Sequence, residues 1–291
     1  MKTIVFQSYR RSNVPWWITR CLASVESWTR ANGYDYEFRG DEVFEICGRD
    51  YLNNVGGNIR SITNLARLEL VREAHHRNYD RAVWIDADVL VFDTENFRIP
   101  ISERYAFARE TWVERRDSGF FILHGVNNCV LVFMQGEPDL DMLISLTRHV
   151  ALHRTITSNY QVGGDILKGL RNSLAFATLE NVGMFSPSVI AGIAQEDHEL
   201  LAVQAREFGS TVFAANLAAA EHHTPVTDGD LKSAMDLLEA SRGDVINKYL
   251  STSPKPSSTN FSQLPEESAN VCSKFFILER FLTLGQKLLG Q

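Results

Sequence analysis

No apolar run in the 291 residues reaches the length of a membrane span, which takes about 20 consecutive apolar residues. At the amino terminus the run Ile4-Val5-Phe6 is too short for a signal-peptide core, so neither secretion nor membrane insertion is expected. Cysteine is sparse. Cys21, Cys47, Cys129 and Cys272 stand far apart without zinc-ligand spacing, and they read as reduced thiols of a cytoplasmic protein. Positive charge is in short supply too: the net charge of -7 excludes a general nucleic-acid binder, which needs a cationic face to release counterions. It leaves room for a small anionic ligand held by a metal ion or a few local cations. No repeat of fixed period is present.

What is there reads as alternating strands and helices. Ile4-Val5-Phe6 predicts a short buried strand. A helix follows, with Asn13 as its cap, Pro15 in its first turn, Ile18, Cys21, Leu22, Val25 and Trp28 at helical spacing, and Gly33 at its end. Trp16 and Trp17 read as core. Tyr34 to Phe38 predicts a second strand, and Ser61 to about Arg77 a helix with His75 and His76 solvated at its polar end. Ala82-Val83-Trp84-Ile85 is an uninterrupted apolar run, as expected of a central strand covered on both faces. Phe120 to Leu123 and Val130 to Phe133 predict two more strands. Pro138 opens a leucine-rich helix, Asp165 to Leu170 lies in another, and Leu174 to Leu179 returns to strand. The fold class expected is α/β, a mostly parallel sheet flanked by helices. Residues 251–270 carry serine- and proline-rich linker chemistry. Within 271–291, Phe275, Phe276, Leu278, Phe281, Leu282, Leu288 and Leu289 predict an amphipathic helix. Its two expected fates are self-association or docking, and peripheral contact with the inner face of the membrane through Lys274, Arg280 and Lys287.

The chemistry centres on Asp86-Ala87-Asp88, delivered at the carboxyl end of the apolar strand. Ligands of open α/β sheets gather beyond the carboxyl ends of strands. Two aspartates one residue apart can both turn toward a hard divalent cation, which takes oxygen ligands. Such a cation stabilises charge building on a departing phosphate. The same two carboxylates could instead merely cap a turn.

In this context the sequence resembles the GT-A glycosyltransferases, in particular families 8 and 32, over roughly the first 225 residues. Ile4-Val5-Phe6-Gln7-Ser8-Tyr9 with Pro15-Trp16 resembles the nucleotide-binding first strand and its loop. Leu65-Ala66-Arg67-Leu68 resembles the signature on the helix before the metal motif, and Trp84-Ile85-Asp86-Ala87-Asp88-Val89 the metal motif itself. Asn127-Asn128-Cys129-Val130 is similar to an Asn-Ala-Gly-Val strand, Gly163-Gly164-Asp165-Ile166-Leu167 to the Asp-Gln-Asp-x-Leu element of the sugar pocket, and Glu221-His222-His223 to a late metal-binding histidine. Two departures stand out: Gly164 replaces the glutamine near the anomeric carbon, and Asn128-Cys129 replaces Ala-Gly.

The resemblance implies a GT-A catalytic domain at 1–250 and a retaining hexosyltransferase. The donor would be a UDP- or GDP-hexose, the metal manganese or magnesium, and the acceptor a saccharide or glycolipid. Metal would rest on Asp86, Asp88 and His222, with His223 as the alternative to His222. The nucleotide-sugar would meet Gln7, Ser8, Tyr9, Arg67, Asp86 and Ala87, and Asp165, Arg67 and Asn127 would serve catalysis.

Blander readings stand beside these. Arg67 could be a solvated helix arginine, Asn127 could pair with backbone at a strand entry, and Asp165 could be a helix cap. Asp41 and Glu42 fall where a base or ribose contact would lie, or in an exposed loop. Two rival functions fit the motif: a haloacid-dehalogenase-like phosphatase with Asp86 as nucleophile, and an inactive nucleotide- or carbohydrate-binding protein on the same scaffold.

Overall fold

A computed structural model describes residues 1–99, 104–154, 161–171, 174, 176–219 and 226–250. The predicted linker and terminal helix lie outside the described residues, as do Glu221, His222 and His223. The chain opens with β1 (Thr3–Ser8), α1 (Trp16–Ala31) and β2 (Asp35–Arg39). A 3-10 turn at Asp41–Cys47 leads into α2 (Arg49–Asn54) and α3 (Ile59–His76), which the Asn58 side chain caps by accepting from the Ser61 N–H. Then come β3 (Arg81–Ile85), β4 (Val89–Val91), β5 (Tyr105–Arg116) and β6 (Gly119–Met134). After α4 (Pro138–His153) and α5 (Gly164–Leu170) follow β7 (Ala177–Leu179), β8 (Val182–Phe185), α6 (Pro187–Ala194) and α7 (His198–Phe208). The described part closes with β9 (Ala214–Leu217), α8 (Asp228–Ala240), α9 (Asp244–Asn247) and a 3-10 turn at Lys248–Leu250.

The larger sheet has the order β2-β1-β3-β6-β5-β7. β1 pairs parallel with β2 and β3, β6 is antiparallel to both β3 and β5, and β7 is parallel to β5. Only β6 therefore runs against the rest, so the sheet is mixed and mostly parallel, as the sequence pattern implied. Alternation along each strand divides the core. Ile4, Phe6, Ala82, Trp84, Leu131 and Phe133 pack on one side with α3 and α4 residues, while Val5, Val83, Ile85, Val130 and Val132 face Val25 and Trp28 of α1 on the other. A second sheet, β4-β9-β8, lies against that other face through Val89, Val91, Met184 and Ala214. Its outer residues Leu90, Phe185, Ala215 and Leu217 bury against α6, α7 and α8. The order of layers is helix, sheet, sheet, helix, and each sheet is covered on both faces.

Four local expectations are corrected. Asn13 does not cap α1: it sits at φ 51, and the cap position falls to Pro15 with no side-chain hydrogen bond. Trp16 is 40% exposed rather than core, whereas Trp17 is partly buried against the second-sheet cluster. His75 is half-buried, its Nε2 3.4 Å from the Phe133 carbonyl, and burial lowers its pKa. The two strands expected at 120–123 and 130–133 are the two ends of one strand, β6, joined through the polar stretch His124 to Asn128.

Candidate functional site

The motif strand ends where the two sheets part. β3 is buried throughout and pairs with β1 and β6; the Asp86 N–H donates to the Cys129 carbonyl at 2.7 Å, in register with that pairing, before the chain turns away. A tight turn over Ala87 and Asp88 then sends the chain into β4 of the second sheet, with Val89 N–H donating to the Asp86 carbonyl at 3.1 Å. Asp86 and Asp88 thus stand at the seam. A cleft of about 1000 Å³ opens there, lined by Ser8, Tyr9, Arg67, Asp86, Ala87, Asp88, Asn127, Asn128, Gly164 and Asp165 among others. Residues spread over the chain from 8 to 165 therefore share one cavity.

Each carboxylate of the motif has its own holder. Trp84 Nε1 donates to Asp86 Oδ1 at 2.5 Å, and Arg67 Nη2 lies 3.2 Å from the same oxygen. Arg67 is buried on α3 over the Trp84 ring at 5.3 Å, and it also donates to the carbonyls of Asn128 and Thr63. This is not the solvated helix arginine of the blander reading. Its guanidinium ties α3, β3 and β6 to Asp86. Asp88 Oδ1 accepts from Asn216 Nδ2 at 2.6 Å, so β9 steadies the second aspartate. Gln7 is buried beneath the cleft floor; its Nε2 donates to the Asp86 carbonyl at 3.2 Å and its Oε1 accepts from Tyr36. It braces the motif from below, while Ser8 and Tyr9 reach the cavity.

Two carboxylates at one turn suit a hard divalent cation. Among the described residues no third His, Cys, Asp or Glu joins them in a cluster, and the expected third ligand, His222, is outside those residues. Their negative field is felt next door. Cys129 is pushed well above the usual thiol range, first by burial and then by Asp86 and Asp88, so it stays a neutral thiol beneath the site.

No family model matches the chain, and no curated protein does. Among solved structures it is similar to a glycosyltransferase involved in the glycosylation of the major capsid of PBCV-1. That likeness has 11% identity over 80% of this chain and 98% of that one, with a TM-score of 0.47. It is also similar to PaToxG Glycosyltransferase, at 8% identity over 82% of this chain and 87% of that one, with a TM-score of 0.37.

Asn127, Asn128, Gly164 and Asp165 line the same cleft. Asn127 sits in an irregular stretch of β6, where the register against β5 jumps from Phe107↔Leu131 to Ala108↔Asn127. Its Oδ1 accepts from the Cys129 N–H at 2.8 Å, a backbone role, while its Nδ2 donates to Glu110 Oε1 at 3.2 Å. Asn128 donates to Asn64 Oδ1 at 3.0 Å. Gly163 brings α5 against the same Asn64: a Cβ there would fall 2.3 Å from its Nδ2, so a larger residue would displace that amide. Asp165 is in the first turn of α5 and lines the cavity with Lys168. Asp41 lines it too, whereas Glu42 pairs with Arg11 at 2.5 Å and is held down at about 2 by that guanidinium.

Glu110, Asn216 and Trp112 are cleft residues that sequence reasoning missed. Glu110 stands opposite Gly125, and a Cβ at that glycine would lie 2.5 Å from Glu110 Oε2. That oxygen is buried and lacks a hydrogen-bond partner, with Lys168 Nζ at 3.5 Å. The period-two pattern of Tyr105 to Trp112 could have revealed β5, but its charged residues mask it. Asn216 had a clearer signal, one amide inside the apolar run Ala214 to Ala220.

Proposed function

We propose that the chain is a metal-dependent, retaining hexosyltransferase of the GT-A type that moves a hexose from a UDP- or GDP-sugar to a saccharide or glycolipid acceptor. The observation that carries this reading is the convergence in one cleft of the Asp86-Ala87-Asp88 turn, Arg67, Asn127 and Asp165. Retention of configuration and the GT-A assignment follow from the resemblance of those motifs to families 8 and 32.

Asp86 and Asp88 would hold manganese or magnesium, with His222 as the expected further ligand. The ion, when bound, would neutralise the diphosphate of the donor. Arg67, committed to Asp86 and to two carbonyls, positions that carboxylate rather than gripping phosphate itself. Ser8, Tyr9 and Ala87 would meet the nucleotide at the β1 end. Asp165 would accept sugar hydroxyls or stabilise positive charge at the anomeric carbon, and Asn127 would orient the sugar through the edge of its amide. In the transfer, the bond from the anomeric carbon to phosphate oxygen breaks and its electron pair leaves with the nucleoside diphosphate. The acceptor oxygen forms the new bond and loses its proton to the departing phosphate.

The phosphatase alternative needs Asp86 as an attacking nucleophile on the first strand. Here Asp86 follows the third strand, and Trp84 and Arg67 both engage the same oxygen of it. Incubation with UDP- and GDP-hexoses and manganese decides the matter. Release of nucleoside diphosphate that stops with chelator is expected; inorganic phosphate release would replace the reading with the phosphatase, and binding without turnover with the inactive scaffold.

A further inference from the structure

β5 and β6 are far longer than the sheet requires. β7 pairs only with Ala106 to Ala108 of β5, and β3 only with Val130 to Met134 of β6. Beyond the register jump the two strands continue as a ribbon from Arg109 to Arg116 and from Gly119 to Val126. One side of this ribbon is anchored. Ser186 donates to the Val113 carbonyl, Arg115 pairs with Asp197 at 2.7 Å, and His124 lies 3.3 Å from Glu207. The other side faces the cleft with Glu110, Trp112, Glu114 and Arg116 from β5 and Phe121 and Leu123 from β6. Cross-strand pairing sets these in rungs: Glu110 with Gly125, Trp112 with Leu123, Glu114 with Phe121, Arg116 with Gly119. Phe121 and Leu123 are 36% and 39% exposed, so this wall shows apolar surface to the cavity. The Arg116 guanidinium lies 4.2 Å over the Phe121 ring.

We propose that this ribbon face is the acceptor wall of the cleft and that it takes a saccharide of two or more rings. The proposal rests on the transferase reading of the site. A sugar ring has an apolar C–H face and a rim of hydroxyls. Phe121 and Leu123 present apolar surface to the first, with Trp112 buried behind them, and Glu114 and Arg116 stand beside them to bond the second. From Glu110 to Arg116 the wall spans about 20 Å, more than a single ring occupies. It starts beside Asn127, which bonds Glu110, so a chain lying on it would present its end to the sugar-side residues. The carboxylates among the apolar side chains disfavour an anionic lipid surface, which would be repelled by both.

The test uses the full chain on an immobilised panel of gluco-, galacto- and manno-configured saccharides of one to four rings. Binding by wild type should rise with chain length. F121S/L123S and, separately, Glu114→Gln should weaken it by about tenfold or more, while Met142→Ser, which removes an exposed apolar side chain on α4, should bind as wild type does. Thermal unfolding of each variant identifies any that fail to fold, and Glu114→Gln alone then carries the comparison. Absence of binding to every saccharide, equal binding by wild type and the ribbon variants, or ribbon-dependent binding to phosphatidylglycerol vesicles in place of saccharides would overturn the proposal. Nucleoside diphosphate release from UDP- and GDP-hexoses is scored separately, so a failed transferase reading is distinguishable from a failed acceptor wall.

Discussion

Asp86 and Asp88 leave the same turn but are held by different elements, and their substitutions should differ accordingly. Asp88 meets Asn216 of the second sheet, and Asn at 88 is nearly isosteric with the carboxylate it replaces. Asp88→Asn should therefore fold, yet lose at least about a hundredfold in turnover if the pair holds a metal that stabilises the leaving group. Nucleoside diphosphate release at saturating manganese measures this, and full activity would remove the metal assignment. Arg67 is a different case, because its planar fork serves Asp86 and two carbonyls together. A lysine keeps the charge but not the fork. Arg67→Lys should cost about 1–3 kcal/mol in urea unfolding, the worth of charge-assisted hydrogen bonds, and should lower turnover as Asp86 loosens. Unchanged stability would show that the arginine is not a structural tie.

Within the β5–β6 ribbon, one glycine makes room for one carboxylate. Gly125→Ala places a methyl group 2.5 Å from Glu110 Oε2 in the present geometry, so Glu110 must swing away from Asn127 and Lys168. Because the clash is with the far end of a flexible side chain, the expected loss is about 1 kcal/mol, the low end for over-packed sites. Shortening the acid relieves the clash, so G125A combined with Glu110→Asp should be less destabilised than the sum of the two single changes. Strict additivity in denaturant unfolding would mean that the pair does not interact. On α3 the Asn58 side chain accepts from the Ser61 N–H at the first turn. Asn58→Ala should cost roughly 1 kcal/mol, the usual value of a lost helix cap.

Across the whole molecule the three described thiols lie inside different parts of the core. Cys47 is in the cluster under α3, Cys129 in the cluster between the sheets, and Cys21 in the cluster against the outer helices. Burial raises all three, Cys47 to about 12, so none supplies useful thiolate near neutrality. Ellman's reagent at pH 8 should leave Cys21, Cys47 and Cys129 unmodified in the native protein, with their reaction appearing only as urea unfolds it. Rapid native labelling at Cys129 would reveal local opening beneath the Asp86 turn.

Hydrophobic pattern alone determined much of the frame. A run such as Ala82 to Ile85 is apolar at every position because it is buried on both faces, and that burial is local enough to be read from neighbouring residues. The position of Asp86 and Asp88 at its carboxyl end follows directly. The resemblance of their motifs to families 8 and 32 implied that Arg67, Asn127 and Asp165 share one site, and all three line the same cleft. Tertiary structure alone decided what each side chain touches. Asp88 and Asn216 are 128 residues apart, and no periodicity links them. Glu110 became a cleft residue through its register opposite Gly125, and Gln7 was drawn under the floor rather than into the cavity. Local pattern reports which face of an element is buried; pairing across the sheets, set by long-range packing, decides which polar groups meet on the face that remains open.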